Sequence, residues 1–212
     1  EPVLAPSISH HIFNSNEKYN YDIKFNAHSI YNDENYDIKR WSGVGKINKK
    51  FNYDNLFLEA DVNLGLDLYS IQGRPSNDSN DNRYIDRISS GFSIAASQQY
   101  ILINNSTSLF VEPKIQFSSI FSPDRTDEIP NRDSAEFRLD QANLFLNNQF
   151  QGRDNIQKND RLNLGMTSLV MTENLGDINL FIGQSQKVSG TQKNINVANE
   201  DRQSHIINSI HW

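Results

Sequence analysis

From position 56 to position 68 every even residue is apolar: Leu56, Leu58, Ala60, Val62, Leu64, Leu66 and Leu68. Between them stand Phe57, Glu59, Asp61, Asn63, Gly65 and Asp67. A period of two this strict predicts an extended strand with one oily face and one wet face. A strand of this length spans about 43 Å, whereas strands of soluble proteins usually stop near 5–6 residues. Tilted by about 45°, it covers roughly 30 Å, the thickness of a bilayer's hydrocarbon core. The first expectation is therefore a transmembrane β-barrel wall.

The rest of the chain continues the theme. Tyr19, Tyr21, Ile23, Phe25 and Ala27 alternate with Asn20, Asp22, Lys24 and Asn26. Tyr36, Ile38 and Arg40 open a third strand, with a register shift expected near 41–45 and a charged turn over 46–55. The polar stretch 74–86 predicts a loop, and 87–97 a weaker strand of small residues. Residues 98–103 begin another strand, broken at Asn104 and Asn105. Leu109, Val111, Ile115, Phe117 and Phe121 then alternate with polar residues. Pro113 sits inside that run and has no N–H to donate, so it marks a bulge or a gap in the ladder. A long connection over 122–160 precedes Leu162, Leu164, Met166, Ser168 and Val170, and only 135–147 offers a helix longer than two turns. Ile178, Leu180 and Ile182 make the next strand, 189–202 a second long polar loop, and 204–212 a last strand. Short turns alternating with long loops suit an outer-membrane barrel. The sum is an all-β, antiparallel barrel segment: an open curved meander of about ten long strands, forming one partial barrel domain over 1–212. No repeat of fixed period points to a solenoid or propeller.

Composition refines this picture. Mean hydropathy is -0.65 and 36% of residues are hydrophobic. A barrel with a polar interior needs only alternate residues to be apolar. No apolar run is long enough for a membrane-spanning helix. The net charge is -6, with no basic stripe, which argues against a nucleic-acid partner. The absence of cysteine excludes disulfides and thiol chemistry. The chain opens without a charged n-region or apolar h-region, so either a signal has been removed or this is an internal segment of a longer chain; residues near both ends read as strands already under way, and a segment is expected. Tyr19, Tyr21, Tyr31, Tyr36, Tyr53, Trp41 and Trp212 fall near strand ends and suit an aromatic girdle.

Signals for bound metal or catalysis are weak. His10, His11, His28, His205 and His211 lack ligand spacing. Asp78, Asn80 and Asn82 echo a calcium loop, but no glycine follows and Ser89 replaces the closing glutamate. Gly43 and Gly45 form no phosphate cradle. No Gly-x-Ser-x-Gly occurs, and Asp124, Asp127 and Glu128 read as ordinary loop charges. No enzyme activity, cofactor or metal is expected.

Positions 111–183 carry a resemblance. Glu112 and Pro113 lie in a strand, followed by Ile129-Pro130-Asn131 and Asp133-Ser134. Asn143-Leu144-Phe145, then Phe150, Gly152 and Asp154, and finally Gly183-Gln184 complete the set. In order and spacing this resembles the C-terminal barrel of the lipopolysaccharide-assembly outer-membrane proteins, the organic solvent tolerance family. Gln149 and Arg132 depart from the residues common there. The resemblance implies a very large barrel in the bacterial outer membrane of a Gram-negative cell. It also implies a periplasmic jellyroll, a lipoprotein that plugs the lumen, and periplasmic bridge proteins that deliver lipopolysaccharide for insertion into the outer leaflet. On this resemblance the segment comes from the middle of the barrel, without the jellyroll or the first and last strands.

Lipopolysaccharide and outer-membrane lipid are thus the expected partners. The loop residues are expected to fold a lid over or into the lumen, with Asn143, Leu144 and Phe145 as its anchor. Glu59, Asp61, Asn63 and Asp67 would wall the lumen, while Lys24, Lys114 and Arg138 are better placed to meet an anionic head group. A generic porin or receptor barrel would share the alternation without the loop motif. A soluble β-sandwich or adhesin module would break the 56–68 strand within about seven residues.

Overall fold

The computed structural model describes residues 3–15, 20–31, 37–72, 83–123, 128–131, 133–135, 138–148, 152–156, 158–172, 176–191 and 205–212. Ten strands follow one another: β1 (Val3–Ser15), β2 (Asn20–Tyr31), β3 (Asp37–Tyr53), β4 (Leu56–Gln72), β5 (Arg83–Gln98), β6 (Tyr100–Asn104), β7 (Thr107–Phe121), β8 (Lys158–Thr172), β9 (Gly176–Thr191) and β10 (Ile207–His211). They form one open antiparallel sheet in the order β1-β2-β3-β4-β5-β7-β8-β9-β10, with β6 beside β7. This is the all-β barrel-wall segment read from the alternation. The strand expected over 56–71 runs 17 residues without interruption, from Leu56 to Gln72.

Several local expectations need correction. β3 runs through 41–45 with unbroken register, from Asp37 opposite Gln72 to Tyr53 opposite Leu56. The charged stretch 46–53 is strand rather than turn. Lys46, Asn48 and Lys50 share the face of Glu59, Asp61 and Asn63, so polar residues continue the ladder where the inner face is wet. The chain reverses only at Asp54 and Asn55, with Asp54 at φ 52°. Left-handed backbone of this kind is one that Asp tolerates. β5 begins at Arg83 and β8 at Lys158, which shortens the flanking loops. Residues 141–145 make a turn, and no helix forms across the described part of 135–147.

Pro113 lies opposite Met166 with no slip on the β8 side. On its other side the ladder stops at Ser97–Lys114 and resumes at Tyr100–Val111 in the same register. β5 and β6 are therefore one strand in space, interrupted where the proline has no N–H to offer.

Along β4 the two faces are unlike. Val62, Leu64, Leu66 and Leu68 remain 47–60% exposed, while Asp67 is fully buried. Ile88, Ile94, Leu164 and Ile182 extend the exposed apolar face over neighbouring strands. Fully burying such a side chain is worth about 1.5–3 kcal/mol, so at half exposure each forgoes roughly half of that in water. A band this wide therefore demands an apolar surrounding. Tyr21, Trp41, Tyr53 and Tyr84 share that outer face by alternation, whereas Tyr69 points inward. Tyr19 and Tyr36 lie outside the described residues, as do 73–82 and 192–204. Among the described residues the buried apolar cluster, Ile38, Tyr69, Ile71, Ile85 and Ile129, sits on the inner face near the long-loop end. Ile129 comes from the 122–157 connection, so that connection covers the wall from inside.

Candidate functional site

The inner face of β3, β4 and β5 carries Arg40, Asp67, Tyr69 and Arg87, which alternation aligns across adjacent strands. The connection between β7 and β8 brings Asp133, Arg153 and Asp154 down onto them. Arg40 Nη1 contacts Asp133 Oδ2 at 2.6 Å and Asp154 Oδ1 at 2.7 Å. Arg87 donates through Nε and Nη2 to Asp67 Oδ2 at 3.1 and 2.8 Å. Its Nη1 donates to the Asp154 carbonyl at 2.7 Å, and Nη2 also reaches the Arg153 carbonyl. Arg153 clasps the same Asp67 through Nε at 2.8 Å and Nη2 at 2.9 Å. Tyr69 donates to Asp154 Oδ1 at 3.2 Å and accepts from Arg87 at 3.1 Å. Three arginines thus balance three aspartates; Arg40, Asp67, Arg87 and Asp154 are deeply buried, while Asp133 and Arg153 stay partly open to solvent, and this pairing is what lets the buried charges be tolerated.

Local turn chemistry shapes the connection. The Asn131 side chain donates to the Ser134 carbonyl at 2.8 Å and accepts the Ser134 N–H at 2.9 Å. Asp133 Oδ1 accepts the N–H groups of Arg153 at 3.0 Å and Asp154 at 2.9 Å. In return, Asp154 Oδ2 accepts the N–H of Asp133 at 3.0 Å. Burial by itself would raise the Asp133 carboxyl. The two backbone donors and the Arg40 guanidinium outweigh it and hold the group well below the usual carboxylate range. Gly152 makes this exchange feasible: its φ is +74°, and a Cβ there would overlap the Asp133 carbonyl. Pro130 joins buried Ile129 to exposed Asn131.

A second attachment lies over β7, β8 and β9. Asp140 Oδ1 accepts the N–H groups of Ala142 and Asn143, and Asn143 Nδ2 donates to the Arg138 carbonyl at 2.9 Å. This turn aims Leu144, fully buried, at two facing glycines. A Cβ on Gly183 would stand 2.5 Å from Leu144 Cδ2, and one on Gly165 2.8 Å from Phe145 Cζ. The glycines leave the hollow that receives the two side chains. Gln116 donates to the Phe145 carbonyl at 2.9 Å, and Asn163 and Ser185 extend that polar chain across the wall.

The motif residues are thus distributed unevenly. Asn131, Asp133, Ser134, Gly152 and Asp154 meet in the first attachment; Asn143, Leu144, Phe145 and Gly183 meet in the second. Glu112 faces inward and accepts from Gln99 at 3.1 Å, whereas Pro113 and Gln184 lie on the outer face. Phe150, Gln149 and Arg132 lie outside the described residues.

The three proposed head-group cations are not gathered together. Lys24, on β2, is 3.4 Å from Asp22. Lys114, on β7, is 3.9 Å from Glu59 and 4.8 Å from the Phe145 ring centre. Arg138 is exposed on the connection. Lys114 borders a cleft of about 220 Å³ with Lys50, Phe57, Glu59, Gln99 and Glu112, near the Asp54 turn.

Arg40, Tyr69, Arg87 and Arg153 were not singled out by the alternation alone. Their signal lay in Tyr69, Ile71 and Ile85: apolar residues on the face that should be wet mark where something covers it.

No curated protein matches this sequence. The family described as LPS transport system D (LptD) matches residues 2–212. That match takes in the alternating strands and both attachments of the inner connection, and the chain belongs to that family.

Proposed function

We propose that the chain is a wall section of the outer-membrane lipopolysaccharide translocon, and that the described residues of the β7–β8 connection (128–131, 133–135, 138–148 and 152–156) form a lid seated on the lumen side of that wall. The family is one of lipopolysaccharide transport. The observation that carries the finer reading is the asymmetry of the sheet. Its outer face is apolar and uncovered, while its inner face is polar and covered by its own connection. An amphiphile with a charged head needs such a polar lining, and the outer band matches lipid tails. The outer membrane is the location this supports. A lumen-plugging lipoprotein and periplasmic bridge proteins are the partners it implies.

Lys24, Lys114 and Arg138 stand apart, so in this proposal they meet anionic head groups in succession rather than as one clamp. Glu112 and the acidic wall keep the path from trapping the cargo. Pro130, Asn131, Asp133, Ser134, Gly152 and Asp154 hold the lid's first attachment, and Asn143, Leu144, Phe145 and Gly183 its second.

The test is photo-crosslinking in living cells that depend on the full-length protein. A crosslinking amino acid at Lys24 or Lys114 should capture lipopolysaccharide while transport runs and lose it when supply is cut. The same group at Leu64 should capture bulk lipid. Adducts absent from both inward sites, with solute conductance retained, would replace the translocon with a porin. The triple reversal Lys24→Glu, Lys114→Glu and Arg138→Glu should impair surface lipopolysaccharide; full transport would remove the head-group roles.

A further inference from the structure

Arg161 stands on the inner face of β8 and is 2% exposed. Its Nη2 donates to the carbonyls of Leu146 at 3.0 Å and Asn147 at 2.7 Å. Its Nε and Nη1 have no partner. Among the described residues no carboxylate comes within ion-pair distance of it. The other deeply buried arginines of the wall are different: Arg40 holds Asp133 and Asp154, and Arg87 holds Asp67.

The neighbouring groups are orphaned as well. Asn159 lies on the same face of β8, is 2% exposed, and neither of its amide atoms has a partner. Ser118 stands directly opposite Arg161 across the β7–β8 ladder, is 1% exposed, and its Oγ is unpartnered. The cluster offers guanidinium, amide and hydroxyl donors around one uncompensated positive charge. Water would satisfy the hydrogen bonds but leave the charge unbalanced in a dry interior, which is strongly unfavourable. A small anion answers both needs. A single positive charge matches a monovalent ion, and a spherical one asks for no directional acceptors in return.

We propose that a chloride-sized monovalent anion binds between β7 and β8 beneath residues 146–148, held by Arg161, Asn159 and Ser118. Arg161 already grips the carbonyls at the end of the Leu144 turn, so the anion would fix the second attachment of the connection to the wall. This inference does not depend on the transport reading.

Two experiments on the full-length purified protein test it. Crystals grown with sodium bromide in place of chloride should show an anomalous peak within hydrogen-bond distance of Arg161 Nε or Nη1. Thermal stability should rise as chloride replaces gluconate at constant ionic strength. Arg161→Gln should abolish that rise. Asn159→Ala, a milder change that retains the guanidinium, should raise the half-maximal chloride concentration about fivefold, the effect of one lost hydrogen bond. No bromide at Arg161, or a chloride response in Asn159→Ala identical to that of the unaltered protein, would overturn the assignment.

Discussion

Gly152 and Asp133 show how much of the inner connection's geometry hangs on single residues. Gly152→Ala forces a side chain into left-handed backbone and against the Asp133 carbonyl. Strained backbone alone costs about 1–3 kcal/mol, enough to undock a loop. Limited proteolysis of the full-length protein should show new cleavage within 122–157, with the barrel itself intact. Asp133 sets the pH behaviour. Its carboxyl is held below the ordinary range, so the stability it contributes is present above about pH 4, where the unfolded group is also ionised. That stability declines as the pH falls below this point, and is gone once the docked group itself protonates. A spin-label pair at Ala135 and Tyr84 should therefore report one unchanged distance from pH 7 to pH 5 and a longer one only in stronger acid. In Asp133→Asn the longer distance should already be populated at pH 7. Asp67 is the most exacting position, because two guanidiniums depend on it. Asp67→Ala leaves buried Arg87 without its carboxylate and should cost about 3–5 kcal/mol in thermal unfolding, part of it recovered by adding Arg87→Met.

At the level of strands, the period of two was enough to predict the outer face. Leu58, Val62 and Leu66 are not tucked beneath a second sheet among the described residues, and Glu59, Asp61 and Asp67 point to the covered side. Boundaries were harder to read. Positions 46–53 look like a turn because their charges are judged against water, yet a wet lumen accepts Lys46 and Lys50 within a ladder. Pro113 was legible for a simple reason: a missing N–H must leave a gap on one side, and it does so opposite Gln98. The faces also differ in what they tolerate. Leu64→Arg, near the middle of β4's outer face, should destabilise the barrel by about 2–4 kcal/mol. Lys46→Arg, on the inner face, should be nearly silent. Heat-induced unfolding in lipid vesicles separates the two, and equal effects would mean that the faces are assigned the wrong way round.

For the whole molecule, the sequence told more about the wall than about what covers it. Long alternating strands identified the architecture, and the Asn, Asp and Gly positions of 129–154 marked a shaped loop. The docking itself was not legible. Arg40 pairs with Asp154 across 114 positions of chain, and Arg153 with Asp67 across 86. Nothing local in the sequence announces such partners. Only the inward apolar residues Tyr69, Ile71 and Ile85 hinted that the lumen side is occupied. The central claim is that lipid wets one side of this sheet and a polar lumen lies on the other. These 212 residues contain no cysteine, so single labelling cysteines are introduced here in a full-length background cleared of any other reactive cysteine. Collision measurements on the full-length protein in lipid vesicles, with oxygen as the lipid-soluble quencher and a nickel chelate as the aqueous one, test the claim directly. Labels at Val62, Leu64 and Leu66 should respond to oxygen, and labels at Lys46 and Glu59 to nickel. Nickel access at the three leucine-face positions, with oxygen access at the charged ones, would contradict it.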